Sequence, residues 1–433
     1  MNILKTKLLI ATCLLLTGMP QLKAQTISPE EEDTTKSTLA KLYNDMELFK
    51  KLKITGYIQV QALFSDSSNL GSSTTAPEDK RMQIRRGRIK FNYESGLNQI
   101  VFQADITERG FRSVDAYAKI TDPWINWFSL KGGLFDRPFG YEIAYSSSVR
   151  ETPERGRMSP TLFPNERDFG AAFIIQGPKT GRWNWIKAEM AMVAGVGGAD
   201  PSKSANDFDK MKDFIGHLSI NRTNRAENLK YGLGASLYHG GIVFNNDTSF
   251  TIGSDSNGVK GYIVDKHDQF DFAKREYYGF DAQASYDWAL GATTIRAEYI
   301  AGTQPGVGKS SKSAADLPAD YVYSRHFDGA YFYFIQNITK LKSQIVVKYD
   351  WFDPNTDVTG DEVGKTVTAG TIKTNEGDIK YHTLGAGLNY FFDEHTKLCA
   401  YYEMNTNETS ENLSKYSVDL HDNLFTLRMQ YKF

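Results

Sequence analysis

The chain has 433 residues, with 50 Lys or Arg against 52 Asp or Glu, so its formal net charge is −2. This balance argues against electrostatic attraction of the whole molecule to nucleic acid, and two cysteines, Cys13 and Cys399, exclude a disulfide framework. Aromatic residues make up 13% of the chain, and there are 36 glycines. Such a composition favours many strands joined by tight turns.

The first 24 residues have the layout of a secretory signal peptide. Lys5 and Lys7 precede an apolar run over residues 8–18, and the sequence LKAQ offers a cleavage site after Ala24. The run is too short for a strong membrane-spanning helix. We therefore predict a signal peptide over 1–24 and a mature chain that leaves the cytoplasm.

A short amphipathic helix is predicted at 38–51, within an N-terminal segment that spans residues 25–53. Its apolar residues recur at helical spacing. They are Leu39, Leu42, Tyr43, Met46 and Phe49. Packing against the rest of the chain is the simplest role for such a helix, and a subunit contact is the alternative.

From Ile54 onward the apolar period changes from helical to two, which is the period of a strand with two different faces. In KITGYIQVQALF (53–64) the apolar residues alternate with Thr, Tyr and Gln, and the last twelve residues, DNLFTLRMQYKF, alternate in the same way. Similar stretches occur at 100–109, 114–120, 278–286 and 344–351. The pattern predicts a series of half-polar strands over 54–433.

The predicted strands are joined by short and long connections in alternation. The short ones are 95–98, 124–127, 179–182, 289–292 and 393–396. The long polar ones are 65–81, 138–168, 199–211, 244–274, 304–327, 354–378 and 407–421. About sixteen amphipathic segments lie between them, which is typical of a transmembrane antiparallel β-barrel in a bacterial outer membrane.

A secreted soluble β-protein is the alternative to a membrane barrel, because alternation also occurs in soluble sheets. Aromatic residues near the ends of the apolar face favour the barrel, since they match the girdles at a bilayer interface. They are Phe64, Tyr93, Trp288, Trp351 and Tyr431. The chain also ends on Phe433 in an amphipathic strand, as barrel assembly signals do.

A row of cations occupies one face of the segment QIRRGRIKFNY (83–93). Arg86, Arg88 and Lys90 alternate with apolar residues, so in a barrel they face the wet lumen. Residues 81–160 carry 13 Lys or Arg and 9 Asp or Glu, a local positive excess. Rings of Arg and Lys favour the passage of anions, and the alternative is that these cations pair with nearby acids such as Asp105 and Asp115.

Five motifs resemble the phosphate-selective porin O and P family. They are RRGRIKF (85–91), VFQADITERGF (101–111), VDAYAKI (114–120), FSLKGGLFDRPFGYEIAYSSSVRETPERG (128–156) and RDFGAAF (167–173). The resemblance is densest over 81–175 and continues more weakly to Phe433. It implies a sixteen-stranded trimeric barrel in the outer membrane of a Gram-negative bacterium, with a third loop, at about 138–167, folded into the lumen as the constriction.

The resemblance also implies a set of anion-binding or pore-lining residues. From the ladder strand and the strand after it come Arg86, Arg88 and Asp105, and the loop supplies Ser146, Ser147, Ser148 and Arg150. The alternation of the row adds Lys90. Further basic residues at lumen parity are Arg109, Lys119, Lys131 and Arg137. Arginine and short hydroxyls suit an anion because phosphate needs charge and hydrogen-bond donors. Glu142, Glu151 and Glu154 add negative charge to the same loop.

The predicted function is therefore passive diffusion of inorganic phosphate or other small anions, without catalysis, cofactor or metal. The predicted partners are outer-membrane lipid, lipopolysaccharide and two further copies of the chain. A weakly selective general-diffusion porin is one alternative. The other is an outer-membrane barrel enzyme or adhesin, although the seven His show no metal-ligand spacing and no HExxH or GxSxG pattern occurs.

Overall fold

The structure is a computed structural model that describes residues 50–66, 79–197, 210–268, 271–314 and 320–433. The signal peptide, Cys13 and nearly all of the predicted helix at 38–51 lie outside the described residues. Within them, no helix has the length and apolar character needed to cross a membrane.

Eighteen strands are described, and sixteen of them form the barrel wall. The first nine wall strands are β1 (Leu52–Ser65), β2 (Asp79–Ser95), β3 (Asn98–Thr107), β4 (Gly110–Thr121), β5 (Phe128–Asp136), β6 (Arg167–Gln176), β7 (Ile186–Val193), β8 (Asp213–Thr223) and β9 (Leu229–Val243). The other seven are β12 (Phe272–Trp288), β13 (Gly291–Gly306), β14 (Val322–Ile338), β15 (Ser343–Asp353), β16 (Tyr381–Phe391), β17 (Thr396–Asn407) and β18 (Leu424–Lys432).

The wall closes on itself because the last strand pairs with the first. β1 runs antiparallel to β18 from Tyr57 opposite Lys432 to Ser65 opposite Leu424. β9 pairs directly with β12, so β10 and β11 are not part of the wall. The prediction of a closed antiparallel barrel of sixteen strands is confirmed.

The two faces of each strand follow the alternation of the sequence. On β1 and β18 the exposed outward residues include Ile58, Val60, Leu427 and Met429. The polar residues between them, among them Gln59, Gln61, Arg428 and Gln430, are buried on the lumen side. Lipid outside and a polar interior explain this pattern, since only one face of each strand needs to be apolar.

Two connections differ from the prediction. The outer connection between β3 and β4 is a tight turn at Glu108 and Arg109, whereas the pattern had every outer connection long. The predicted long polar loop at 244–274 contains a hairpin, β10 (Thr248–Ser254) and β11 (Lys260–Lys266). Alternation in this short hairpin is too weak to distinguish it from loop sequence.

The hairpin packs against other outer loops. Tyr262 of β11 forms a bridge with Ile372, and its hydroxyl donates to Asp378 at 2.5 Å. Asp378 also pairs at 2.8 Å with Arg325, and both side chains are fully buried. Short 3-10 helices lie at Thr339–Leu341, Gly360–Glu362, Glu376–Asp378 and Ser414–Tyr416. The loops thus form a packed cap at the outer end of the barrel.

The connection between β5 and β6, residues 137–166, enters the lumen as predicted, and we call it the constriction loop. It contains the short helix α1 (Met158–Leu162). Phe139, Ile143 and Phe163 of the loop are buried together with Tyr238, Tyr277, Phe327 and Tyr331 of the wall. An apolar cluster inside the barrel therefore holds the loop across the lumen, and burial of such large side chains stabilises its position.

We predict that Ile295→Arg, on the outward face of β13, lowers the free energy of unfolding of the reconstituted barrel by about 2–4 kcal/mol. Ile295 is 58% exposed. It pairs with Phe334 of β14, which also faces outward, so an arginine at position 295 meets lipid. Urea unfolding followed by tryptophan fluorescence measures the change. Thr294→Arg, one residue away on the lumen face, is the control, and equal losses would contradict the assignment of the two faces.

Candidate functional site

The constriction loop is fixed to the wall by Glu154, on which three arginines converge. Arg85 donates to its carboxylate at 2.8 and 3.0 Å, Arg86 at 3.0 Å and Arg428 at 2.7 Å. Burial raises the pKa of Glu154, but the charges of Arg86, Arg428 and Arg85 outweigh it and hold that pKa well below its usual value. Glu154 is therefore ionised at neutral pH and ties the loop to β2 and β18.

The ladder residues Arg86 and Arg88 face the lumen, and both are buried beneath the constriction loop. Besides Glu154, Arg86 donates to Gln59 at 3.1 Å. Arg88 lies opposite Asp105 in the β2–β3 register and contacts its carboxylate at 3.4 Å. Arg88 also lies 3.4 Å from the Ser147 hydroxyl. Both side chains lie on the lumen side of the wall, and their charges are largely paired with the protein's own acids.

A cavity of about 370 Å³ lies between the loop and the wall formed by β1–β6 and β18, and we call it the near-wall cavity. Four of the predicted site residues line it: Arg88, Lys90, Ser146 and Ser148. Arg167, Lys432, Asp115 and Asp136 also line it. Lys90 is 3.9 Å from Asp115 and keeps about a third of its side chain exposed. The structure thus brings two ladder cations and two loop hydroxyls to one water-accessible space.

Other predicted site residues lie outside this cavity. Lys131 forms a 2.6 Å ion pair with Glu189, and Arg137 forms a 3.0 Å ion pair with Asp168, both buried. Lys119 lies opposite Lys131 in the β4–β5 register. Arg109 is exposed in the β3–β4 turn and donates to Gln83. These cations are spread along the wall rather than gathered at one point.

Ser147 and Arg150 of the loop are buried behind the cavity. The Ser147 hydroxyl lies 2.6 Å from the Tyr57 hydroxyl, and its carbonyl accepts from Gln59. The guanidinium of Arg150 has no hydrogen-bond partner among the described residues. Burial and the neighbouring charge of Arg86 lower the pKa of Arg150. Packing of the loop against the wall, rather than exposure to solute, characterises both residues in this structure.

A second cavity, of about 460 Å³, lies on the opposite side of the loop, and we call it the far-wall cavity. Its lumen-facing lining is mostly neutral and polar. It includes Asn221, Gln283, Ser285 and Thr294, together with Tyr145, Glu151, Lys230 and Arg296. Arg222, Thr223 and Tyr231 line the cavity as well. Arg296 lies over the rings of Tyr141 and Tyr145 at 4.6 and 4.5 Å and pairs with Glu151 at 3.2 Å.

The far-wall residues were missed in the sequence. Arg296 stands alone in ATTIRAEYI, where no row of charges marks it as pore-lining. The available signal was its position next to the apolar Ile295, which places Arg296 on the opposite, lumen-facing side of the strand. The same holds for Glu298, which accepts the backbone N–H groups of Tyr141 and Glu142, both at 3.1 Å. Its carboxylate lies so close to Gly140 that any Cβ there would collide with it, which explains the glycine, at φ +60°.

Glu298 and Glu142 together anchor the loop to the far wall. Glu298 accepts from the Tyr331 hydroxyl at 2.7 Å, and Glu142 accepts from the Tyr333 hydroxyl at 2.9 Å and from Ser159 at 2.6 Å. The loop is therefore held on one side by the charged cluster at Glu154. On the other side it is held by hydrogen bonds to carboxylates and by the ion pair between Arg296 and Glu151. Between these two anchors it separates the near-wall cavity from the far-wall cavity.

Comparison with known proteins gives structural matches alone, since no protein-family model and no curated protein sequence matches the chain. The outer-membrane channel DcaP of Acinetobacter baumannii aligns at a TM-score of 0.50 and 12% identity, over 88% of this chain and 97% of that one. OmpF of Salmonella typhi, solved in complex with daunomycin, aligns at 0.52 and 12%, over 88% and 97%. OprB of Pseudomonas putida aligns at 0.50 and 9%, over 90% and 96%.

The barrel has the fold of bacterial outer-membrane porins. Its closed wall leaves no unpaired strand edge, and its outer surface is apolar, as a lipid environment requires. With this fold and this surface, the chain is a protein of the outer membrane of a Gram-negative bacterium.

We predict that Glu154→Gln loosens the constriction loop and lowers the free energy of unfolding by about 1–3 kcal/mol, because three arginines lose their shared carboxylate. The lower end of this range reflects a carboxylate that is about one-third exposed. Hydrogen exchange of residues 146–156 in detergent should become faster. Glu108→Gln, which removes an exposed acid from the β3–β4 turn, is the control.

The same anchor predicts a dependence on pH. Because the pKa of Glu154 is lowered in the folded protein, its contribution is complete above the pKa of an unfolded Glu, about 4.3, and decreases as the pH falls below that value. Exchange at 146–156 should therefore rise in wild type as the pH is lowered through this range, after correction for intrinsic exchange, and should rise less in Glu154→Gln. Equal pH dependence in both proteins would contradict the role of this carboxylate.

Proposed function

We propose that the chain is a porin through which small polar solutes diffuse passively, with a preference for phosphate or other small anions. The observation that carries this proposal is the near-wall cavity, where Arg88, Lys90, Arg167 and Lys432 face a water-accessible space. Asp115 and Asp136 share that space, so the excess of positive charge is small. Ser146 and Ser148 add neutral donors of the kind that an anion accepts.

A weakly selective general-diffusion porin is the second candidate, and the pairing of the ladder favours it. Arg86, Lys131 and Arg137 each contact a carboxylate within about 3 Å. A paired cation contributes much less to the potential felt by a passing ion than a free one does. The far-wall cavity, with its amides and hydroxyls, suits neutral solutes equally well. Selectivity therefore depends mainly on the cations that line a cavity, among them Arg88, Lys90 and Lys230.

Transport is supported by the closed wall and by the two cavities that flank the constriction loop inside it. We also propose a homotrimer in contact with lipopolysaccharide, which rests on the family resemblance of residues 81–175 alone. The native mass of the detergent-solubilised protein tests the trimer.

We predict that the reversal potential of the reconstituted wild-type channel in a potassium chloride gradient shows anion preference. Arg88→Gln combined with Lys90→Gln should lower the chloride-to-potassium permeability ratio about twofold or more, because both cations line the near-wall cavity. The same variant should weaken block of the chloride current by inorganic phosphate.

The control is Lys266→Gln, which removes an exposed cation from the outer hairpin, where it pairs with Asp247. It should leave both the permeability ratio and the phosphate block unchanged. Cation preference in wild type would refute the anion proposal while leaving a porin. Absence of any conductance across repeated reconstitutions of folded protein would refute the porin as well.

A further inference from the structure

A groove of about 670 Å³ lies at the periplasmic end of the barrel, where β7 begins and β8 ends. We call it the rim groove, and it is lined by Arg182, Trp183, Asn184, Trp185, Asn221, Arg222 and Thr223. The first four belong to the turn between β6 and β7, and the last three to the end of β8. The two turns that meet here are on the side of the barrel where the chain also ends.

Arg222 lies on the outward face of its strand. Outward residues of β8 include Leu218, which is 48% exposed, whereas Ser219 and Asn221 have the opposite parity. Across the ladder Arg222 pairs with Tyr231, another exposed outward residue. A charge on the lipid side of a barrel is strongly unfavourable at mid-membrane and tolerated near the interface. The position of Arg222 at a strand end is therefore that of a group among lipid headgroups.

The aromatic residues of the groove place it at the same depth. The guanidinium of Arg222 lies 4.2 Å from the centre of the Trp185 ring, and the rings of Trp183 and Trp185 are 5.4 Å apart. Tryptophan concentrates at the membrane–water interface because its ring is amphipathic. Stacking on Trp185 also holds the guanidinium in one orientation while leaving its N–H donors available.

Basic residues outnumber acidic residues around the rim groove. Residues 177–187 contain Lys179, Arg182 and Lys187 but no acid, and residues 222–230 contain three basic residues and a single acid, Glu227. Among the described residues, neither Arg182 nor Arg222 forms an ion pair, whereas Lys187 pairs with Glu189. The β16–β17 turn, with Asp393 and Glu394, shows that the periplasmic rim is not basic everywhere. The groove is thus a local, unpaired positive site.

We propose that the rim groove binds the phosphate of an anionic glycerophospholipid in the periplasmic leaflet of the outer membrane. Arg182 and Arg222 supply the charge and the hydrogen-bond donors that a phosphodiester accepts. Trp183 and Trp185 pack against the glycerol and the upper acyl chains, and Asn184 offers a further amide. Asn221, Arg222 and Thr223 also line the far-wall cavity, so the groove lies beside the periplasmic mouth of the lumen.

Native mass spectrometry of the full-length barrel in non-ionic detergent, titrated with phosphatidylglycerol, tests the proposal. Arg182→Gln combined with Arg222→Gln should weaken the tightest lipid-binding step about tenfold or more. The matched control, Lys340→Gln combined with Lys342→Gln, removes two charges from the β14–β15 turn on the same rim, which does not line the groove. It should leave that step unchanged. Trp185→Leu should weaken the binding without changing the charge.

Two further binding measurements identify the ligand. Inorganic phosphate at the same concentration should not displace the lipid, and phosphatidylcholine should bind more weakly than phosphatidylglycerol. If phosphate alone competes fully, the site takes free phosphate and the lipid proposal is wrong. Equal effects of the groove and control variants would show non-specific attraction and also overturn it. Binding of soluble peptidoglycan fragments in place of lipid would assign the groove to the cell wall instead. The heat-dependent gel mobility of each variant verifies that the barrel is folded.

Discussion

Every backbone N–H and C=O group in the hydrocarbon region must find a partner within the protein, and the rest of this structure depends on that constraint. The chain satisfies it by pairing β18 with β1, so the sheet has no free edge. Closure fixes the parity of each wall strand, because one face meets lipid and the other meets water. Arg86 and Arg88 face inward for this reason, before any question of function arises.

Closure also creates a wide polar interior that must be partly filled. The constriction loop does this with two kinds of contact: the charged cluster at Glu154 on one side and the carboxylates Glu142 and Glu298 on the other. Buried charges stabilise a structure only where partners satisfy them. The arginines of the ladder therefore serve first to position the loop, and only those that also reach a cavity, above all Arg88, are placed to act on a solute.

Much of the barrel could be predicted because lipid selects one face of each strand so strongly. The alternation in 53–64 and 422–433 indicated two strands whose pairing closes the wall, although it did not reveal that they pair. The hairpin at Thr248–Lys266 was not predicted, since outside the bilayer no such selection acts. In the candidate site, the sequence revealed the row of Arg86, Arg88 and Lys90 as a local cluster of positive charge. The pairing of this row with Glu154, and that of the far-wall Arg296 with Glu151, was not recognised, because contacts between distant parts of the chain decide both.

The same residue type therefore has different consequences at different places in the barrel. In the lumen, Arg86 and Arg137 lie within about 3 Å of the chain's own carboxylates, so their charge is largely neutralised by ion pairs that stabilise the fold. At the periplasmic rim, Arg222 has an aromatic ring beside it and no acid among the described residues. A count of basic residues along the sequence does not distinguish the paired arginines of the lumen from the unpaired one at the rim. The contacts distinguish them: Arg150, buried in the constriction loop, and Arg222, exposed at the rim, have no ion-pair partner among the described residues, and of the two only Arg222 is open to a ligand from outside.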